Sequence, residues 1–277
     1  MRLWLLLLCC LSAAVQGAEQ RIIALAPHIT EMLYAIGAGD SVVGVSDYSD
    51  YPAQARALPS VASFAGINLE AILALKPNLV IAWRSGNPPA DIKRLQHFGI
   101  NVVFSDPITL DDIATELRLF GELTGHQIQA DAEAARFSHQ LQQLRTTYQH
   151  KTPLRVFFAM STAPLSTVAN KAWPQQMLTL CGADNPFATA KGDYPQVGIE
   201  QVVTAEPELI IQPLRTDTKP DLMYWHRFTV IPAVKHGRFL SVNADHLYRT
   251  TPRTLLGIQQ LCQGIDSYRD LTINAAH

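Results

Sequence analysis

Two stretches of this chain spell the same unit, and that repetition limits the architecture more than any other feature. Residues 68–83 read NLEAILALKPNLVIAW and residues 198–213 read GIEQVVTAEPELIIQP. Aligned, Glu70 falls on Glu200, Pro77 on Pro207, and the apolar run at 79–81 on that at 209–211. Each copy reads as a helix, a proline-marked turn and a short buried strand. Around the first copy, RIIALAP reads as a strand ended by Pro27, followed by a helix at 30–36 closed by Gly37 and a strand at 42–45. The copy itself gives a helix at 69–75 and a strand at 79–83, and a helix at 91–98 and a strand at 102–104 come next. The second series runs from LRVFFAM through a helix near 175–180, the repeat, the strand GRFLSV and a final helix at 253–263. Short buried strands alternating with helices imply parallel pairing.

Between 109 and 151 no strand signal appears, and Gln, Ala, Glu and Arg dominate from 127 to 149. Ile128, Ala132, Ala135, Leu141, Leu144 and Tyr148 recur there at helical spacing. This predicts one long helix, ~30 Å or more at 1.5 Å per residue, stopped by Pro153. The expected fold is α/β: two α/β lobes with parallel-rich central sheets, residues 18–108 and 152–277, joined by a helical connector at 109–151 that contains one long rigid helix. A helix is a stiff connector, which limits lobe motion. The competing reading is two ordinary α/β units that share only generic helix–turn–strand grammar.

The 277 residues are 48% apolar and 17% charged, enough for a substantial core. A formal net charge of −2 leaves no electrostatic footprint for nucleic acid. Residues 1–17 carry Arg2, an apolar block at 3–11, and small residues with Val15 and Gly17 at the −3 and −1 positions. That is the pattern of a cleaved secretory signal peptide, and the block is too short to span a bilayer. A lipid anchor on Cys9 or Cys10 is disfavoured, because Leu8 or Cys9 precedes where a small residue belongs. Export to an oxidising compartment favours a disulfide between the two remaining cysteines, Cys181 and Cys262; two buried free thiols are the alternative. Across their separation of 81, the chain-entropy model gives an upper figure of roughly 4.5 kcal/mol.

No phosphate loop, nucleophile elbow or zinc-protease helix is present, and the nine histidines are scattered. No catalytic residue and no metal ligand set is assigned. In HITE, His28 or Thr30 reads as a helix start with Glu31 favourable to the dipole; the alternative places His28 in a ligand cleft. Aromatic residues gather where strands end. Trp83 closes LVIAW, Tyr48 and Tyr51 follow the strand at 42–45, Tyr194 sits in GDYPQ, and Asp245, Tyr248 and Arg249 follow GRFLSV. Strand C-terminal ends are where α/β proteins hold ligands, so these rings suit a large flat ligand.

The segments VVGVSDYSDYP, GINLEAILALKPNLVIAW, YPQVGIEQV, LTLCGADNPF and QQLC resemble the vitamin B12 branch of the periplasmic binding proteins that serve ABC importers. The likeness runs from about Arg21 to about Cys262. The wider family also contains siderophore and haem binders built as two α/β lobes on one long helix. The resemblance implies a monomeric, non-enzymatic periplasmic protein that has no resident cofactor and takes cobalamin as its ligand. Its partners are then an inner-membrane permease and ATPase complex. Tyr48 and Trp83 match residues lining the B12 cleft. The run Asp245, His246, Leu247, Tyr248 and Arg249 matches a ligand-contacting segment, and Tyr194 in the same lobe is a further candidate. Cys181 and Cys262 match a disulfide pair. Glu70 and Glu200 match glutamates that dock onto permease arginines, one per lobe. The residues alone explain those two acids as dipole partners in a first helical turn, favourable by ~0.3–1 kcal/mol.

Where that branch favours aromatics, this chain has Phe64, Leu165, Tyr194 and His246. His246 offers an imidazole to a metal centre, in cobalamin or in haem. A haem or ferric-siderophore binder on the same scaffold is therefore the alternative, with Arg84 and Arg249 as the basic residues it needs. An exported metal-dependent enzyme would need a His/Asp/Glu cluster that the sequence does not supply.

Overall fold

A computed structural model describes residues 20–215 and 219–275; the leader expected at 1–17 lies outside them. The first lobe runs β1 (Ile22–Ala24), α1 (Pro27–Ala35), β2 (Val42–Ser46), β3 (Ser60–Ser63), β4 (Gly66–Ile67), α2 (Leu69–Ala74), β5 (Leu79–Trp83), α3 (Pro89–His97) and β6 (Val102–Ser105). Two helices follow, α4 (Asp112–Thr124) and α5 (Gln127–Tyr148). The second lobe opens with β7 (Leu154–Phe158), β8 (Ser161–Thr162), β9 (Leu165–Ser166), α6 (Trp173–Leu180), β10 (Ala183–Asp184) and α7 (Ile199–Ala205). It ends with β11 (Leu209–Leu214), α8 (Leu222–Trp225), α9 (Pro232–Lys235), β12 (Phe239–Asn243), α10 (Ala244–Tyr248) and α11 (Thr254–Ala275).

The first sheet is ordered β4-β3-β2-β1-β5-β6 and is parallel except for the β3–β4 pair. The second is ordered β10-β7-β11-β12 and wholly parallel. The repeat is therefore topological. β5 and β11 each lie between their lobe's first strand and its last. The likeness reaches the backbone: Lys76 and Glu206, each just before the turn proline, both take φ of 48°. A residue before proline is barred from continuing a helix, and the left-handed position ends α2 and α7 at the same place. Asn68 caps α2 by accepting from Ala71 N–H at 3.0 Å. At α7 the Gln201 side chain accepts from Gly198 N–H at 2.7 Å.

The connector holds the expected long helix and differs from the expectation in which of that helix's residues are buried. Gly125, at φ of 72°, breaks 109–151 into a hairpin of two helices, with α4 packed on the first lobe. Only α5 is long, 22 residues or ~33 Å. Its buried stripe is Ala130, Ala134, Phe137, Leu141 and Tyr148, whereas Ile128, Ala132 and Ala135, expected inside, are exposed. The reason is a close helix crossing. A Cβ added at Gly121 would lie 2.4 Å from the Ala130 Cβ, so α4 lies too near for a large side chain at that turn. Small residues mark the contact, and Ile128 faces outward.

One continuous core runs through α5. It joins Ile22, Met32 and Phe120 of the first half to Phe137 and Leu141 of the helix, and on to Val156, Met177 and Leu261 of the second. The outer sheet faces carry separate clusters, against α2 and α3 in one lobe and around Trp225 in the other. Cys181 and Cys262 form a disulfide with Cα atoms 4.8 Å apart, tying the end of α6 to α11. The final helix extends well past 263, because buried Arg269 on that extension has a task. It donates to the carbonyls of Thr152, Cys181 and Gly182 at 2.6–2.7 Å, satisfying the open end of α6.

Candidate functional site: the cleft between the lobes

The first sheet reverses its strand order around β1, and ligands of open α/β sheets gather outside strand C-terminal ends at such a point. The strand ends of the two lobes meet. The Arg215 guanidinium, just past β11, lies 5.6 Å from the ring centre of Tyr48, just past β2. Arg249, following α10, reaches Glu31 on α1 at 2.8 Å and Asp50 at 2.7 Å.

Tyr48 is 61% exposed and has φ of 63°, a backbone position that a bulky residue rarely takes. The turn is held by buried hydroxyls. Thr30 Oγ1 donates to Ser49 Oγ at 3.1 Å, and Ser46 Oγ lies 3.3 Å from the same atom. Trp83, 40% exposed, ends β5. Its backbone N–H donates to Asn87 Oδ1 at 2.7 Å, and Asn87 Nδ2 donates to Leu25 O at 3.0 Å. Phe64, a departure from the B12 pattern, is 96% exposed in the β3–β4 turn. β3 runs parallel to β2, so Phe64 stands on the same sheet edge as Tyr48 and Trp83. A bulky side chain at the tip of a two-residue turn was its sequence signal.

Across the cleft, Tyr194 and Tyr248 are also exposed and lie near each other. Burial pushes the Tyr248 phenol upward, with Tyr194 adding to the shift, and burial pushes Tyr194 upward too. The remaining members of the 245–249 run divide. Leu247 is fully buried in the core, so it offers a ligand nothing; an amphipathic turn must turn one residue inward. Leu165 is likewise buried. Asp245 pairs with Arg249 at 3.4 Å. His246 is lowered by burial and by Arg253, and it sits beside the charges of Glu31 and Arg249.

Arg249 is mostly committed. Its side chain is 12% exposed and ion-pairs with Glu31, Asp50 and Asp245. Arg253 donates to Glu31 Oε2 at 2.8 Å and lies 3.7 Å over the Tyr51 ring. Glu31, expected as a helix-dipole partner, has a side chain only 2% exposed and bridges the lobes. Arg84 stacks over Phe104 at 4.1 Å and shares no cluster with Arg249. His28 lies in the first turn of α1, as one of its two readings had it, but behind Pro27 and with no side-chain cap. Its ring is buried beneath Trp83 rather than open to the cleft. Among the described residues no group of three His, Cys, Asp or Glu could hold a metal ion. A separate concavity of about 650 Å³ opens beside Tyr34, Tyr51, Arg136, Gln140 and Leu256, and none of the four cleft rings lines it.

Residues 22–245 match the profile of the periplasmic binding protein family. A vitamin B12-binding protein of Vibrio campbellii is 40% identical over 253 residues, 91% of this chain and 92% of that one. One from Pectobacterium atrosepticum is 41% identical over 267 residues, 94% of this chain and 92% of that one. Among solved structures, the periplasmic vitamin B12-binding protein BtuF of Vibrio cholerae superposes with a TM-score of 0.81 at 39% identity, covering 90% of this chain and 98% of that one. A periplasmic haem-binding protein from Roseiflexus reaches 0.80 at 22% identity, which speaks to the fold alone. The chain belongs to the periplasmic binding protein family, whose members bind rather than catalyse.

Proposed function

We propose that this chain captures cobalamin between its lobes and delivers it to an ABC importer. The carrying observation is the set of exposed rings, Tyr48 and Trp83 on one lip and Tyr194 and Tyr248 on the other, in a chain alike over nine-tenths of its length to vitamin B12-binding proteins. Rings on both lips suit a flat macrocycle, and the polar groups at the strand ends suit its amide rim. A haem reading needs basic groups for the propionates, and its candidates are engaged elsewhere, Arg84 stacked on Phe104 and Arg249 paired with Glu31, Asp50 and Asp245. Residues 1–17 act as the leader removed on export, and the mature chain works as a monomer in the periplasm.

Calorimetric titration with cyanocobalamin, beside haemin and a ferric siderophore, tests the ligand. The expected result is one-to-one cobalamin binding at submicromolar strength, near −8 kcal/mol or better. Saturable haemin binding without cobalamin binding would overturn the assignment. Trp83→Ala and Tyr48→Ala are each expected to weaken cobalamin by roughly 30-fold, since a desolvated aromatic anchor contributes about 2 kcal/mol. Affinities unchanged in both variants would remove the rings from the site.

Glu70 and Glu200 suit a docking role. Each lies exposed in the first turn of a helix that runs against its sheet, hence at the cleft end of its lobe. Two carboxylates flanking one mouth match a two-fold partner carrying a basic group on each half, and long-range attraction would speed encounter. Reversing both to Lys should slow association with permease-containing membranes at least tenfold at low salt and leave cobalamin affinity unchanged. An unaltered association rate would end the docking reading.

A further inference from the structure

The cleft-edge indole of Trp83 has two neighbours that fix it. Gly86 lies flat against the ring, and a Cβ added there would fall 1.9 Å from Cε3. The His28 imidazole packs on the indole in a T-shaped contact, with ring centres 5.5 Å apart and planes at 81°. Edge-to-face contact sets the positive rim of one ring against the negative face of the other, so it holds an orientation as well as filling space.

The imidazole is itself anchored. His28 Nε2 lies 3.0 Å from Ser105 Oγ. Ser105 Oγ donates to Glu116 Oε2, and the other carboxylate oxygen accepts from Asp106 N–H at 2.6 Å. With the serine proton spent on Glu116, Nε2 must carry the proton it gives to Ser105. All three side chains are buried. One hydrogen-bonded chain thus runs from Glu116 on α4, through Ser105 at the end of β6 and His28 on α1, to the indole at the end of β5.

We propose that His28 is a positioning residue for Trp83: its ring, packed at right angles to the indole, holds that side chain upright at the cleft edge, while the Ser105–Glu116 chain sets the orientation of the imidazole itself. The role in ligand affinity rests on the cobalamin reading; the contact itself does not. Burial keeps the imidazole neutral, pushed down to about 4 against the pull of Asp106. The charged groups facing it are Asp106 and, through Ser105, Glu116.

The test has two readouts. Trp173 and Trp225 are buried, so the emission difference between the wild-type protein and Trp83→Phe isolates the cleft indole. Without ligand, that difference should fall as His28 gains a proton near pH 4, where circular dichroism still reports a native fold, and should be flat with pH in a His28→Phe background. The same pH profile in that background would overturn the proposal, whatever the ligand proves to be. The second readout is cyanocobalamin affinity. His28→Phe keeps an edge-on ring and should stay within about twofold of wild type, whereas His28→Asn keeps a polar group without the ring and should lose ~3- to 10-fold. Equal losses would count against orientation by the ring. A wild-type protein that binds no cobalamin would defeat the functional reading, and the fluorescence result would still judge the contact.

Discussion

Glu31→Ala should lose about 3–5 kcal/mol of folding stability. Its carboxylate comes from the first lobe, is 2% exposed, and is clamped by Arg249 and Arg253 of the second, 12% and 20% exposed. Removing it takes the carboxylate from Arg253 and one of three from Arg249, in a place with little water to receive them, and that desolvation penalty, more than the lost attraction, sets the size of the effect. For a chain of this size the melting temperature should drop by roughly 10 °C. The control is Asp245→Ala. That partner is 37% exposed and 3.4 Å from Arg249, so its loss should cost at most ~1 kcal/mol. Urea midpoints for the two variants decide the matter, and a Glu31→Ala change below 1 kcal/mol would show that the lobes do not depend on this clamp. Because the clamp sits at the cleft, the same variant should also bind cobalamin less well, through a looser angle between the lips.

The second large effect is on pH. His28 titrates at about 4 when folded and 6.5 when free, because burial disfavours its charged form, with Asp106 opposing. The unfolded chain therefore takes up its proton first as pH falls. Stability from this residue is complete above 6.5 and drains away towards 4, by about 3 kcal/mol in all. Glu116 acts in the opposite sense. Burial raises its carboxyl against the hydrogen bonds from Ser105 and Asp106, so the folded state takes that proton first and gains stability on acidification. The quantity to measure is thus the difference between wild type and His28→Phe in urea unfolding at pH 7, 5.5 and 4.5. It should narrow or reverse in favour of the variant as pH falls. A difference independent of pH would show that the imidazole titrates normally and is not enclosed.

Local pattern accounts for the elements that were legible in advance. LVIAW is read at 79–83 and forms β5 over the same residues, because a short apolar run bounded by proline and a polar loop has few other uses. Gly37 closes α1 and Pro77 ends α2 through backbone restrictions carried by the residues themselves. The aromatic lips were legible for the same reason, since a strand's end names a place in an α/β fold before any contact is known. Phe64 was harder to place, because β3 is too short to announce itself, and only its pairing with β2 brings the turn to the cleft.

What the chain determined alone is the doubled α/β grammar, the reach of α5, and which residues stand at strand ends. These follow from periodicities and turn chemistry that act over a few residues. The tertiary structure decided which face of α5 is buried, because the approach of Gly121 to Ala130 admits only small residues. It also turned Glu31 from a helix-end acid into the clamp between lobes and put His28 under Trp83. Those roles depend on Arg249, Arg253, Ser105 and Glu116, groups up to 222 positions distant, and no local pattern encodes a partner that arrives only when two lobes pack together.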